Sequence, residues 1–262
     1  MRSTGKFQLL VRLGYLARGL VYVLLGYLAL SSREAVKEGP RAVFSFVQDM
    51  PVGSLLLYLS ALGLLGYALF RFASTFLDIE HHGTGKTGIA KRLGHLGSGV
   101  AHVVLAYTAF QFANGGGSGG GDTAQQAART VLSVDFGSLA LGLLGICLFG
   151  AALFQGKKAV TASFMKRVTA DAPSAAKPIG QGGHAARAVV FAIIGWSLVD
   201  TAWLSPGAQI KTLGDAIASL ADNGLVFTLV AVGLLMFGVF SLILSRYRII
   251  PDLDSCGRPA FG

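Results

Sequence analysis

Arg12-Leu13-Gly14-Tyr15-Leu16-Ala17-Arg18-Gly19-Leu20-Val21-Tyr22 returns, altered but recognisable, twice further along the chain. The second version is Arg92-Leu93-Gly94-His95-Leu96-Gly97-Ser98-Gly99-Val100-Ala101-His102, and the third is Gln181-Gly182-Gly183-His184-Ala185-Ala186-Arg187-Ala188-Val189-Val190-Phe191. Repetition at this spacing divides the chain into three units, 1–85, 86–170 and 171–262. Each of these stretches runs into a continuous apolar segment, and each unit contains a second such segment. Gly53-Ser54-Leu55 matches Gly137-Ser138-Leu139, and Gly66-Tyr67-Ala68-Leu69-Phe70 matches Gly150-Ala151-Ala152-Leu153-Phe154, while the last apolar segment matches only loosely.

Outward from the repeats, composition explains what the apolar segments are for. With 53% hydrophobic and 13% charged residues and a mean hydropathy of +0.61, the chain is too apolar for an ordinary water-soluble domain. Six segments are each long enough to cross a hydrocarbon layer of ~30 Å at ~1.5 Å per residue. They are 11–30, 53–77, 96–113, 136–154, 185–204 and 224–245. The expected fold is an all-α integral membrane protein in which two-helix units enter the membrane in the same direction, a parallel repeat compatible with a pseudo-threefold bundle. Short amphipathic segments at 41–50, 123–133 and 213–221 precede the even-numbered spans and are expected to lie along the outer surface.

Charge sets the orientation. Seventeen of the 22 Lys and Arg fall on one face, made of the amino terminus, the second and fourth loops and the carboxyl tail; the other five are Arg33, Lys37, Arg41, Arg129 and Lys211. Both termini are therefore expected in the cytoplasm of a bacterial inner (plasma) membrane. Arg12 and Arg18 lie too deep for the basic region of a signal peptide, so the first span reads as an uncleaved anchor. The net charge of +9 is met by anionic lipids at the cytoplasmic loops, and no nucleic-acid partner is called for. Cys147 falls in a span and Cys256 in the tail, so no disulfide framework is expected.

Gly14-Tyr15-Leu16-Ala17-Arg18-Gly19-Leu20-Val21-Tyr22, the helix ending Gly66-Tyr67-Ala68-Leu69-Phe70-Arg71 and the threefold layout resemble the bacterial membrane family called domain of unknown function 1206. The resemblance implies a multi-pass bacterial membrane protein and supplies no activity. The middle repeat departs from the pattern: Ser98 stands where the others carry Arg18 and Arg187, and Gln155 replaces the Arg that ends the second span at Arg71. A role for arginine at those positions cannot be threefold.

Ionisable groups inside spans are the candidate site, because each is costly in hydrocarbon. The repeat puts Tyr15, His95 and His184 at one level, Arg18 and Arg187 at the next, and Tyr22 and His102 at a third, on one face of each helix. These seven residues would line a polar vestibule open to the cytoplasm. For the arginines, snorkelling to the interface is the simpler expectation. Small residues on the same helices, Gly19 and Gly26, Gly99 and Ala106, Ala188 and Gly195, suit close helix packing. Asp200, near Trp203, reads as an interfacial carboxylate.

Other chemistry is thinly represented. His95 and His102 are ~10.5 Å apart along a helix, too far to hold one iron between them, and no haem, metal or other cofactor is expected. Gly85-Lys86-Thr87 lacks the preceding glycine of a phosphate loop, since Glu80 occupies that position, and the 114–121 glycine run lacks the lysine. No catalytic motif is present, so an enzyme is not expected. The preferred expectation is an accessory or scaffold protein that packs with another membrane protein or with itself. The alternative is a small-solute, ion or proton pathway through the polar vestibule.

Overall fold

The computed structural model describes residues 2–32, 35–116, 123–205 and 208–251. Arg33, Gly117 to Gly121 of the glycine run, and the tail with Cys256 and Arg258 lie outside the described residues. Nine α-helices carry the described chain: α1 (Arg2–Ser31), α2 (Pro40–Gln48), α3 (Gly53–Phe76), α4 (Lys86–Ala113), α5 (Thr123–Leu132), α6 (Gly137–Thr161), α7 (Ala176–Val199), α8 (Leu213–Ala218) and α9 (Gly224–Tyr247). Six of them, α1, α3, α4, α6, α7 and α9, are long and apolar enough to cross a membrane. No strand occurs among the described residues beyond an isolated bridge between Val168 and Arg248.

Three spans begin much earlier than hydropathy places them. α1 starts at Arg2, nine residues before position 11, α4 at Lys86, ten before 96, and α7 at Ala176, nine before 185. The extra turns are polar, so hydropathy passes over them although helical hydrogen bonding continues. The short helices α2, α5 and α8 fall on the three amphipathic segments, and α2 buries Ala42, Val43 and Phe44 against the bundle. The turn from α2 into α3 shows why Gly53 recurs as Gly137. A β-carbon on Gly53 would stand 2.2 Å from the Val47 carbonyl oxygen, and one on Gly137 would stand 1.7 Å from that of Val131. Only glycine fits such a corner.

Packing follows two kinds of interface. The first joins neighbouring repeats: α3 on α4, α6 on α7, and α9 on α1. It is threefold in detail. Arg92 Nε donates to the Thr75 carbonyl at 2.7 Å, Arg12 Nη1 to that of Ser245 at 2.9 Å, and Gln181 Nε2 to that of Ala159 at 2.8 Å. Each odd-numbered span thus satisfies an end carbonyl of the helix it packs on, the group a helix leaves without an internal partner.

The second kind joins the two spans of one repeat, and here symmetry fails. α1 packs on α3 and α7 on α9, but α4 and α6 make no corresponding interface. In the first repeat a β-carbon on Gly14 would meet Tyr67 at 2.7 Å, and in the third one on Gly183 would meet Phe237 at 2.6 Å; at the equivalent Gly94 it would meet nothing within 4 Å. Gly66 is covered by Leu10, whereas its counterpart Gly150 is open. The six spans form a row, α4-α3-α1-α9-α7-α6, whose ends leave a seam between α4 and α6.

The cross-seam partners explain the failure. Arg18 stacks on Tyr67, with its guanidinium carbon 4.6 Å from the ring centre, and Arg187 stacks on Phe237 at 4.4 Å. The middle repeat has Ser98 and Ala151 at these two positions. Loss of a desolvated cation–π pair removes about 2 kcal/mol from the interface.

Candidate functional site

The polar groups inside the bundle gather toward the end where α1 begins and α9 finishes. Arg18 does not snorkel. It is buried at 5% exposure, donates through Nε and Nη2 to Ser241 Oγ at 3.2 and 3.0 Å, and donates through Nη1 to the Tyr67 hydroxyl. The expectation of an interfacial anchor is corrected here, because α9 and α3 close over the side chain before it can reach the surface.

Tyr67 is the centre of this group. Its hydroxyl oxygen also accepts from Arg71, from Nε at 2.8 Å and from Nη2, so one phenol oxygen joins two guanidinium groups. Tyr15 packs edge-on to Tyr67 at 5.0 Å, and its buried hydroxyl has no partner. Tyr22 packs against Phe237 at 4.9 Å, and the Arg187 guanidinium lies over its ring at 5.7 Å. His102 lies against Tyr67, with ring centres 4.4 Å apart. Its Nδ1 donates to the Ser98 carbonyl at 2.7 Å, which leaves Nε2 as a buried lone pair without a partner.

Arg187 and His184 form a parallel group on α7. Gln155 of α6 donates through its amide nitrogen to His184 Nδ1 at 3.0 Å, and its amide oxygen accepts from Arg187 Nε and Nη1 at 3.3 and 3.2 Å. The Gln155 to His184 contact is the repeat counterpart of Arg71 to His95. Lys158 lies one turn beyond Gln155 on α6 and is half-buried.

Below Tyr15 the loops that follow α3, α6 and α9 meet on Glu80. Its side chain is only 2% exposed, and Oε1 pairs with Arg167 Nη1 at 2.6 Å and with Arg248 Nη2. Oε2 faces His95 Nε2 at 3.0 Å and His82 Nε2 at 3.3 Å. Burial works to raise the Glu80 carboxyl pKa, but hydrogen bonds from the two histidines and the charges of Arg248 and Arg71 outweigh it and hold the group well below the usual carboxylate range. Arg248 also lies over the Tyr15 ring at 5.3 Å, so the cluster caps the interior at this end. The vestibule open along the bundle axis is therefore closed in this structure.

Glu80, His82 and His95 present ligand atoms within 4.8 Å of one another, which is metal-like spacing. The hydrogen bonds argue otherwise. Arg71 Nη1 lies 2.8 Å from His95 Nδ1, and a guanidinium only donates, so Nδ1 accepts and the His95 proton sits on Nε2, where it faces Glu80. A metal at Nε2 would need that proton moved to Nδ1, against the arginine. The cluster is an ion-pair hub.

Four of the six predicted packing residues, Gly19, Gly26, Gly99 and Gly195, fall on the first kind of interface. Gly19 faces Leu242, and Gly99 faces Phe72; a β-carbon on either would come within 2.5 or 2.6 Å of those side chains. Gly26 faces Ala231 and Leu235, and Gly195 faces Gly145. Ala106 is buried, and Ala188 is half-buried on α7. Asp200 opens a short π-helical turn and accepts from Ser205 Oγ at 3.0 Å, a local use. Sequence reasoning missed Glu80, Tyr67, Ser241 and Lys158. Glu80 lies in a loop outside every repeat match, while Tyr67 and Ser241 read as ordinary span residues until Arg18 is seen between them.

The sequence profile of the family described as Domain of Unknown Function (DUF1206) matches residues 13–78, 93–162 and 182–248. The chain is 32% identical over 248 residues to "Uncharacterized protein YxxB" of Bacillus subtilis (strain 168), covering 90% of each. No solved structure matches the chain. The three profile matches fall one on each repeat and the relative aligns across all of them, so the chain belongs to the DUF1206 family.

Proposed function

We propose that the protein binds an anionic, phosphate-like group inside the basic half of its helix bundle. One observation carries this reading. Arg18 and Arg71 share the Tyr67 hydroxyl, Arg18 and Arg187 both lie over the Phe237 ring at 5.0 and 4.4 Å, Lys158 stands one turn from the Gln155 that holds Arg187, and Glu80, the one buried acid among the described residues, is already engaged by Arg167, Arg248 and two histidines. Positive charge in excess of its counter-charge is expensive in a membrane interior, and an anion relieves it. The site supports binding or passage of an anion; nothing in it resembles a catalytic arrangement, and we propose no enzymatic activity.

The setting we propose is a bacterial inner membrane with both termini in the cytoplasm, basic loops against anionic lipid, and no nucleic-acid partner. The test is thermal unfolding of the purified full chain in detergent, with inorganic phosphate or chloride at fixed ionic strength. Phosphate should raise the melting temperature by several degrees, as a ligand of the folded state does, and Arg187→Gln should abolish the rise. Equal melting temperatures in the two salts, together with no response to an anionic lipid, would remove the reading.

A second reading, an accessory or scaffold role, is favoured by the exposure of α4 and α6, the least buried of the six spans. A membrane protein or a second copy crosslinked specifically to residues flanking the seam would favour it.

A further inference from the structure

We propose that the seam between α4 and α6 is a lateral port through which the headgroup of an anionic phospholipid reaches Lys158, Arg187 and His102. The inference rests on the anion-binding reading and adds the source of the anion.

Three observations carry it. Along the bundle axis, the Glu80 cluster and Arg248 close the basic end, so a water-borne anion meets a filled mouth. Sideways, the structure is open where the other two repeats are shut, because α4 and α6 lack the interface that α1–α3 and α7–α9 possess. Behind the opening stand the cations of the proposed site, of which Arg187 and Lys158 are half-buried. An opening that faces hydrocarbon and leads to fixed positive charge fits a molecule with apolar tails and an anionic head.

His102 narrows the headgroup. Its buried Nε2 is a lone-pair acceptor without a partner, on a ring packed 4.4 Å from Tyr67, whose hydroxyl holds Arg18 and Arg71. A phosphodiester alone would meet the cations and leave this acceptor unmet, whereas a headgroup that also carries a hydroxyl can donate to it. Phosphatidylglycerol has both features.

The repeat also supplies a way to shut the port. In the first repeat, Gly63 lies against Ala17, 2.8 Å from its would-be β-carbon to the Ala17 β-carbon, and in the third Gly233 lies against Ala186 at 2.5 Å. The middle repeat holds Gly97, with nothing within 4 Å, and the exposed Cys147 at these positions. A Gly97→Cys substitution would therefore meet the native Cys147 if α4 closed on α6 as the other pairs do.

The experiment uses the full chain with Cys256→Ser, reconstituted in equimolar phosphatidylglycerol and phosphatidylcholine, released in mild detergent and weighed by native mass spectrometry. Phosphatidylglycerol should be retained at least tenfold over phosphatidylcholine. Retention should fall at least tenfold in Lys158→Gln and in Arg187→Gln, and should fall in oxidised Gly97→Cys protein and return on reduction. Equal retention of the two lipids, or phosphatidylglycerol retention unchanged by the charge substitutions, overturns the port. A second copy or another protein held at the seam in place of lipid overturns it as well. Stabilisation by inorganic phosphate without lipid retention would overturn the port and leave the anion site standing, whereas failure of both would remove the two together.

Discussion

The Arg18 guanidinium carbon lies over the Tyr67 ring, 4.6 Å from its centre, and the same guanidinium donates a hydrogen bond to the Tyr67 hydroxyl. One aromatic side chain thus offers both its face and its oxygen to one cation. The third repeat keeps the stacking alone, with Arg187 over Phe237, and the second keeps neither. The repeat that has neither is the one whose two spans make no interface.

Restoring the pair should close the seam. In Ser98→Arg with Ala151→Tyr, a desolvated cation–π contact worth about 2 kcal/mol would move the closed population more than tenfold. Oxidative crosslinking of Gly97→Cys to Cys147 in this background should rise accordingly. An unchanged crosslinking yield would show that the two positions do not decide the gap.

Equivalent glycines should respond unequally to alanine. Gly14→Ala forces a β-carbon to within 2.7 Å of the Tyr67 backbone nitrogen and 2.8 Å of the Gly63 carbonyl, and should cost about 1–3 kcal/mol. Gly94→Ala meets open space and should leave the melting temperature within a degree or two of the wild type. Similar losses in both would contradict the open seam.

Tyr67→Phe keeps the ring and removes the oxygen that accepts from Arg18 and Arg71. Charged donors left buried without that acceptor should cost about 1–3 kcal/mol, read as a lower melting temperature in detergent. Phe237→Leu, which removes stacking and no hydrogen bond, should cost less through polar terms and should not alter the environment of Arg71.

Glu80→Gln breaks a buried ion-pair hub and should destabilise the protein by about 3–5 kcal/mol at neutral pH. Its folded pKa lies below the ordinary value of 4.5, so the carboxylate's contribution is fully present above that pH and is lost as pH falls through the lower folded value. The difference in stability between wild type and Glu80→Gln should hold constant down to about pH 5 and narrow in stronger acid. A gap that widened on acidification would refute the pairing.

Zinc offers a check on the histidines. With Arg71 on His95 Nδ1 and two arginines on Glu80, adding one equivalent of zinc should leave the melting temperature unchanged. Arg71→Leu frees His95 Nδ1 and should allow a measurable response.

The number of spans and the triplication could be read directly because both depend on local composition and on recurrence at a fixed spacing. The departures at Ser98 and Gln155 could also be read, but their effects could not. Gln155 preserves its interface by reaching His184, whereas Ser98 loses its interface, and the difference lies in what each meets on another helix. The candidate list held Arg18 and His102 because ionisable residues stand out in apolar runs. It omitted Tyr67, whose type is common in spans, and Glu80, whose partners Arg167 and Arg248 are 87 and 168 residues away in sequence. Contacts at such separation leave no periodic trace.

The Glu80 hub also governs how the seam can deform. It belongs to the segment that leads into α4, and through Arg167 it is tied to the turn that leaves α6, so the two helices are pinned together at the basic end. The seam is therefore fastened at that tip, and any widening between α4 and α6 would grow with distance from Glu80, as a pair of tongs opens away from its rivet.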